Sequence, residues 1–230
     1  MKQEACLKPP PFLERLIRLL YPVKCMVCDT LLKEDTVLAL CEDCYKLLPR
    51  YEKGFVKKPS LPYINGMAAA FYYEEGVDKA IHALKFNHQP KLSMTMGYLL
   101  YEHIKEEAPL PEFDFIIPVP MHPRKKRQRG YNQSELVARE LSSFLEVPVY
   151  QDLLYKTRTT HPQSSLKRDE RLRNLEGAFE IRKDCDLTGK IVLLVDDVVT
   201  TGTTLNTCAR ILYEKGASWI FASVIANAEK

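Results

Sequence analysis

The sequence predicts an α/β chain: a mostly parallel sheet with flanking helices, preceded by a small cysteine module. Three observations predict it. From Met67 onward, short apolar runs alternate with amphipathic stretches of helical period. The run 191–195 is apolar without a break, as a strand covered on both faces must be. Ahead of that alternation, four cysteines fall into two CxxC pairs. The size agrees, because 230 residues with 46% hydrophobic and 27% charged can build one ordinary α/β domain with an appendage, and exclude a disordered or fibrous chain. The expected division is 1–66 and 67–230.

Each element has its own signal. The opening stretch sets Phe12, Leu13, Leu16, Ile17, Leu19 and Leu20 at helical spacing, and Pro22 ends it. With Glu14 beside Arg15 and Arg18, this helix is expected to pack on the body of the protein rather than on a membrane surface or a partner. Residues 45–66 read as a linker, broken by Pro49, Gly54, Pro59, Pro62 and Gly66. A strand is expected over 67–73, helices over 76–86 and 92–107, and a strand over 113–119. Leu136, Val137, Leu141, Phe144 and Leu145 share one face of a helix over 131–145. After the strand at 191–195, Leu205, Cys208, Ala209 and Leu212 fall at i, i+3, i+4 and i+7, and 219–225 is a last strand.

No apolar run approaches the ~20 residues of a membrane span, so an integral membrane protein is not expected. The N-terminus lacks the basic-apolar-small order of a secretory signal. Seven cysteines, an odd number with four tightly patterned, argue against a disulfide framework and for a reducing cytoplasm.

The two pairs, Cys25/Cys28 and Cys41/Cys44, are twelve residues apart. Each CxxC turn can present two sulfurs to one ion, and four thiolates in a tetrahedron suit a structural zinc ion, with no open position for catalysis. A redox dithiol is the weaker reading, since no βαβ pattern surrounds the motif. Cys208 falls on the apolar face of its helix and is expected in the core, and Cys6 is expected as a free thiol in a tail.

The formal net charge of +3 says little, but its distribution is uneven. Residues 124–129 (RKKRQR) hold five cations, and 156–173 adds Lys156, Arg158, Lys167, Arg168, Arg171 and Arg173 against Asp169 and Glu170. Such clusters attract phosphates or nucleic acid; the plainer reading is a solvated loop face.

The most informative stretch joins the strand at 191–195 to Asp196 and Asp197, and then to Thr200, Thr201, Gly202, Thr203 and Thr204 at the start of a helix. Unpaired amides and the positive end of the helix dipole suit a phosphate monoester. Gly202 admits close backbone approach, the threonines add hydroxyl donors, and the carboxylates can accept from a vicinal diol. Together these fit a ribose 5-phosphate. The lysine of a nucleotide-triphosphate loop and the three-glycine dinucleotide fingerprint are both missing from this stretch.

This stretch resembles the signature of type I phosphoribosyltransferases, which bind 5-phosphoribosyl-1-pyrophosphate. The resemblance implies that Asp196 and Asp197 hold the ribose hydroxyls and that residues 200–204 wrap the 5-phosphate. It also implies Mg2+ held largely by the ligand's own oxygens and water. A second resemblance is carried by three further segments: Pro118-Val119-Pro120 with the basic run and Arg129-Gly130-Tyr131-Asn132-Gln133; the spaced Thr160, Gln163, Leu166, Arg171, Asn174, Gly177, Ala178 and Phe179; and Leu84-Lys85-Phe86. These are similar to the ComF family of competence proteins. That family implies an N-terminal zinc segment, a phosphoribosyltransferase-like domain, and a role in the uptake of single-stranded DNA alongside a helicase or other competence proteins. Many members carry further CxxC pairs, whereas this chain has one set before Met67, so a second zinc ion is not implied.

Arg129 and Gly130 are the leading candidates for the pyrophosphate, where a cation would stabilise the charge of a leaving group. Arg124, Lys125, Lys126 and Arg127 suit either the pyrophosphate or a nucleic acid backbone. Residues 156–173 have the composition of a lid over the ligand. Tyr131 either stacks on a base or packs locally at a helix start. The function expected is a competence protein that binds single-stranded DNA and phosphoribosyl pyrophosphate. The alternative is a phosphoribosyltransferase acting on a nucleobase or amine, for which no acceptor-recognition motif is evident.

Overall fold

The computed structural model describes residues 7, 10–74, 76–86, 91–106, 110–158, 175, 177–182 and 184–229. The central strand is the one that the apolar run dictates. β1 (Gly66–Tyr72), β2 (Phe115–Pro118), β5 (Ile191–Val199) and β6 (Trp219–Asn227) form a sheet of order β1-β6-β5-β2, every pair parallel. A short antiparallel pair, β3 (Leu154–Lys156) with β4 (Phe179–Ile181), stands apart.

The period of two in these strands divides the core. Leu193, Val195, Ile116 and Ile225 join one cluster with α3 (Val77–Phe86), α4 (Leu92–Glu106) and α6 (Gln133–Leu145). Val192, Leu194, Ile117 and Val224 join a second with α7 (Thr203–Glu214) and the small hairpin. A parallel sheet covered on both faces is what the sequence predicts. Cys208 is fully buried in the second cluster, as its helical face predicts.

Several boundaries differ from the sequence reading. β5 does not stop at Val195: Asp196 pairs with Val224 and Val198 with Ala226, so the ladder carries both acids inside the strand. The linker 45–66 is in part structured. α2 (Glu42–Leu47) reaches into it. The chain beyond α2 then pairs antiparallel with β1 at Arg50/Phe71 and Val56/Met67, covering the edge of the sheet. The prolines and glycines hide that pairing because an irregular edge needs no regular alternation. At the opposite edge, Val149 bridges Ile116.

The basic run is not a loop either. It forms α5 (Pro123–Arg129), with Pro123 at its first position, His122 Nδ1 accepting the amide of Arg124, and Gly130 closing it at φ +90°.

The first helix meets the body of the protein, but by its polar side rather than its apolar one. α1 (Phe12–Leu20) buries none of its residues, and Phe12, Leu13, Leu19 and Leu20 stand exposed. Arg18 is the reason: it pairs with Glu14 at 2.8 Å and donates to the carbonyl of Thr36 at 2.5 Å. The polar side therefore meets the cysteine module, and the apolar side faces outward. The module itself is well seated. Cys25, Ala39, Leu40 and Leu48 join the first core cluster, and the amide of Ala39 donates to Thr95 Oγ1 at 2.8 Å. No helix among the described residues is long and apolar enough to cross a membrane.

Candidate functional site

Strand alternation separates the two acids. Asp197 follows Leu193 and Val195 toward α3 and α6, and is 5% exposed. Its Oδ2 pairs with Lys85 Nζ at 2.6 Å and accepts from Gln133 Nε2 at 3.1 Å. Its Oδ1 accepts the amide of Val198 at 2.8 Å. Asp196 is half-buried; its Oδ1 accepts the hydroxyl of Ser134 at 2.7 Å and the amide of Asp197 at 2.9 Å. Burial, and then the charge of Asp197, push the Asp196 carboxyl up to about 7, against the opposing pull of Ser134, the Asp197 amide and Lys85.

The turn from α5 into α6 builds the opposite wall. Asn132 caps α6 by accepting the amide of Ser134, and its own amide donates to the carbonyl of Val119 at 3.0 Å. The start of α6 is thereby tied to the end of β2, which aims Gln133 and Ser134 at the acids. Arg129 donates to Gln133 Oε1 and lies over the Phe86 ring, 5.1 Å from its centroid. Burial pushes the Arg129 guanidinium below its usual range, and the charge of Asp197 opposes this. Tyr131 donates its hydroxyl to the carbonyl of Leu84, which favours the local-packing reading over base stacking.

Beyond the acids, the backbone turns at Gly202, with φ +72°. A Cβ there would lie 2.7 Å from Leu61 Cδ2, so both the conformation and the space demand glycine. Gly202 caps α7 without a side-chain bond of its own. Thr201 and Thr203 join their hydroxyls at 2.8 Å, Thr203 is buried, Thr204 is half-buried and Thr200 is exposed. Lys156 lies over the Phe179 ring at 4.9 Å. Its ammonium is pushed down, first by burial and then by Lys125, while Asp196 opposes. α3, α5, α6, β3 and β5 therefore all contribute to one site.

Sequence reasoning singles out Asp196, Asp197, Arg129, Gly130 and the threonines. The structure brings Arg129 to the acids through Gln133, while Gly130 serves to end α5. Lys85, Gln133 and Ser134 are additional members. Lys85 and Gln133 stand within the quoted motifs, and Ser134 follows one directly. Only the fold places all three against the acids. Most of the segment expected as a lid, from residue 159 onward, lies outside the described residues, as does Cys6.

Arg124, Lys125, Lys126 and Arg127 are exposed along α5. Glu135 offsets part of that charge, pairing with Lys126 at 2.7 Å and with Arg139 at 2.8 Å.

The cysteines form a second, separate centre. The sulfurs of Cys25, Cys28, Cys41 and Cys44 lie within 4.8 Å of one another and could hold a metal ion. Cys28 and Cys41 are 3.8 Å apart, and a tetrahedron of thiolates with metal–sulfur bonds of about 2.3 Å has edges of about 3.8 Å. The amide of Cys41 donates to Cys25 Sγ and that of Cys44 to Cys41 Sγ, both at 3.5 Å, which suits sulfurs that carry charge. In the bare cluster, bonding to Thr30 pulls the Cys28 thiol down to about 6, whereas burial pushes the Cys44 thiol up. A cavity of about 1310 Å³ lies beside this module, between α1, α3 and the start of α4. Neither acid nor any of residues 200–204 lines it.

Comparisons with known proteins agree with this architecture. Residues 132–230 match the phosphoribosyl transferase domain family. Competence protein F of Haemophilus influenzae is 30% identical over 194 residues, covering 82% of this chain and 78% of that protein. DNA utilization protein YhgH of Escherichia coli K12 is 31% identical over 202 residues, covering 84% and 86%. Competence protein ComFC of Streptococcus pneumoniae is 34% identical over 149 residues, covering 65% and 62%. With so much of both chains aligned, and with the cysteine cluster and the ribosyltransferase-type sheet on one polypeptide, the chain belongs to the competence protein F family.

Proposed function

We propose that this chain binds 5-phosphoribosyl-1-pyrophosphate at the acid pair and single-stranded DNA along its basic face, and that it serves natural transformation. The observation that carries the ligand reading is the position of Asp196 and Asp197. They lie in the carboxyl-terminal half of a central parallel strand, which leads into a helix start entered through Gly202. That end of an open α/β sheet is where ligands bind.

In this reading the acids receive the ribose hydroxyls, while Thr200, Thr201, Gly202, Thr203 and Thr204 receive the 5-phosphate. Arg129, with Gly130 freeing the turn, faces the pyrophosphate. Mg2+ arrives with the ligand and neutralises part of its charge. Exposed cations of α5, with Lys156 behind them, offer phosphate contacts to a single strand. The names of the relatives, competence protein and DNA utilization protein, support the DNA half. The four cysteines fit a structural zinc ion, being soft donors in a closed set. They would organise a module spanning 1–66 ahead of a ribosyl-phosphate domain spanning 67–230. The setting is cytoplasmic, with a DNA-uptake helicase or other competence proteins as partners through which the chain meets the membrane.

The test is to measure both ligands on one sample. Phosphoribosyl pyrophosphate should bind with Mg2+ and be lost from an Asp196→Asn/Asp197→Asn variant. Single-stranded DNA should bind at low salt and weaken steeply as salt rises. A wild-type protein that takes no phosphoribosyl pyrophosphate, or DNA binding indifferent to salt, would overturn the corresponding half.

A further inference from the structure

We propose that Lys85 is a positioning residue of this site: it holds Asp197 in place and supplies the countercharge that lets a site with two carboxylates accept a polyanionic ligand. The inference rests on the phosphoribosyl reading above and gives a role to Lys85, which lies outside the 191–204 stretch that resembles the phosphoribosyltransferase signature.

The geometry is a closed ring of contacts. Lys85 and Phe86 are the last two residues of α3. Lys85 Nζ meets Asp197 Oδ2 at 2.6 Å, and the same oxygen accepts from Gln133 Nε2 at 3.1 Å. The other end of the Gln133 amide accepts from Arg129, whose guanidinium returns to α3 by resting on Phe86. Two cations thus address Asp197, Lys85 directly and Arg129 through an amide. The Lys85 and Asp197 side chains are 23% and 7% exposed, so water screens the pair weakly. A carboxylate buried to that degree is costly without a partner. Because Lys85 takes Oδ2, Oδ1 accepts only the Val198 amide among the described residues, which leaves it a lone pair for a sugar hydroxyl.

Charge completes the argument. A ligand with a phosphate monoester and a diphosphate brings several negative charges toward Asp196 and Asp197. Without Lys85, Asp197 would repel it, and dissolved Mg2+ would have to supply the missing positive charge. Lys85 therefore acts through Asp197, and its loss should appear as a stronger demand for Mg2+.

The experiment is a double-mutant cycle on the full chain, with Lys85→Met, Asp197→Asn and the two together, alongside Lys85→Arg. Phosphoribosyl pyrophosphate binding is measured across a magnesium series. Lys85→Met should weaken binding at least about tenfold at low Mg2+, as truncating one member of a buried pair does, with the deficit shrinking as Mg2+ rises. Lys85→Arg, which keeps the charge, should stay within about threefold of wild type. The double variant should bind no more weakly than Asp197→Asn alone. If Lys85→Met does not fold, Lys85→Gln, which keeps a donor and loses the charge, carries the same expectation. Losses that multiply in the double variant, or a Lys85→Met deficit blind to Mg2+, would overturn the proposal while leaving the phosphoribosyl reading standing. A wild-type protein that fails to bind at every Mg2+ concentration would overturn both.

Discussion

Ser134 donates its hydroxyl to Oδ1 of Asp196 across 2.7 Å, a side-chain contact between the first turn of α6 and β5. It is a partial remedy for an acid that burial and a neighbouring carboxylate hold up to about 7. The folded state therefore binds the Asp196 proton more tightly than the unfolded chain, whose carboxyl titrates near 3.8. Between those two values the folded state carries more protons, so this residue's contribution is most favourable below about pH 4 and declines as pH rises toward 7. Asp196→Asn should melt higher than wild type at pH 8, with the gap closing below pH 4. Each kcal/mol relieved reads as roughly 2–4 °C in a chain of this size. A gap that stays constant with pH would show that Asp196 carries no such penalty.

Gly202 resists replacement on two counts, its φ of +72° and the Leu61 side chain against it. Gly202→Ala should cost about 1–3 kcal/mol in stability and abolish phosphoribosyl pyrophosphate binding. Adding Leu61→Ala should recover part of the melting temperature, because the clash goes while the backbone strain remains. Differential scanning calorimetry on the single and double variants checks this.

Metal content is directly measurable. One zinc ion per chain should be released on titration with a thiol-specific mercurial, and Cys28→Ser should weaken its retention. A strong chelator should lower the melting temperature, since metal binding and folding of such a module are coupled. Melting that ignores the chelator would remove zinc from the structural account.

The exposed cations of α5 give a salt test. Lys125→Ala and Arg127→Ala should each weaken single-stranded DNA binding uniformly across sequences. Each should also make the slope of log K against log salt shallower by about 0.7 for every DNA phosphate that the variant no longer neutralises. A slope identical to wild type would move the DNA surface away from this helix.

The parts of the site that are local in sequence were the legible parts. An apolar run, two acids and a Thr/Gly turn follow one another directly, so β5, the loop and α7 can be read from one stretch. The parts set by packing were not. Lys85 reaches Asp197 only because α3 ends against β5, and nothing in its neighbourhood marks it as an ion-pair partner. Gln133 stands in a quoted motif and Ser134 follows it, but nothing aims either at the acids until Asn132 is seen tying α6 to Val119. The first helix misled for a related reason: an apolar stripe predicts that something covers it, whereas Arg18 anchors the opposite side. The 49–56 segment escaped because pairing along a sheet margin leaves no periodic trace.

That margin gives the cysteine cluster a second duty. Cys41 Sγ accepts the amide of Cys44 and so caps α2, and the chain leaving α2 runs straight into the residues laid along β1. If the cluster holds the proposed zinc ion, stripping it would loosen the anchor of that strip and bare the rim of the sheet to strand addition by a neighbouring molecule. Demetallated protein should therefore clump before it unravels, and turbidity should precede the loss of circular dichroism on gentle warming.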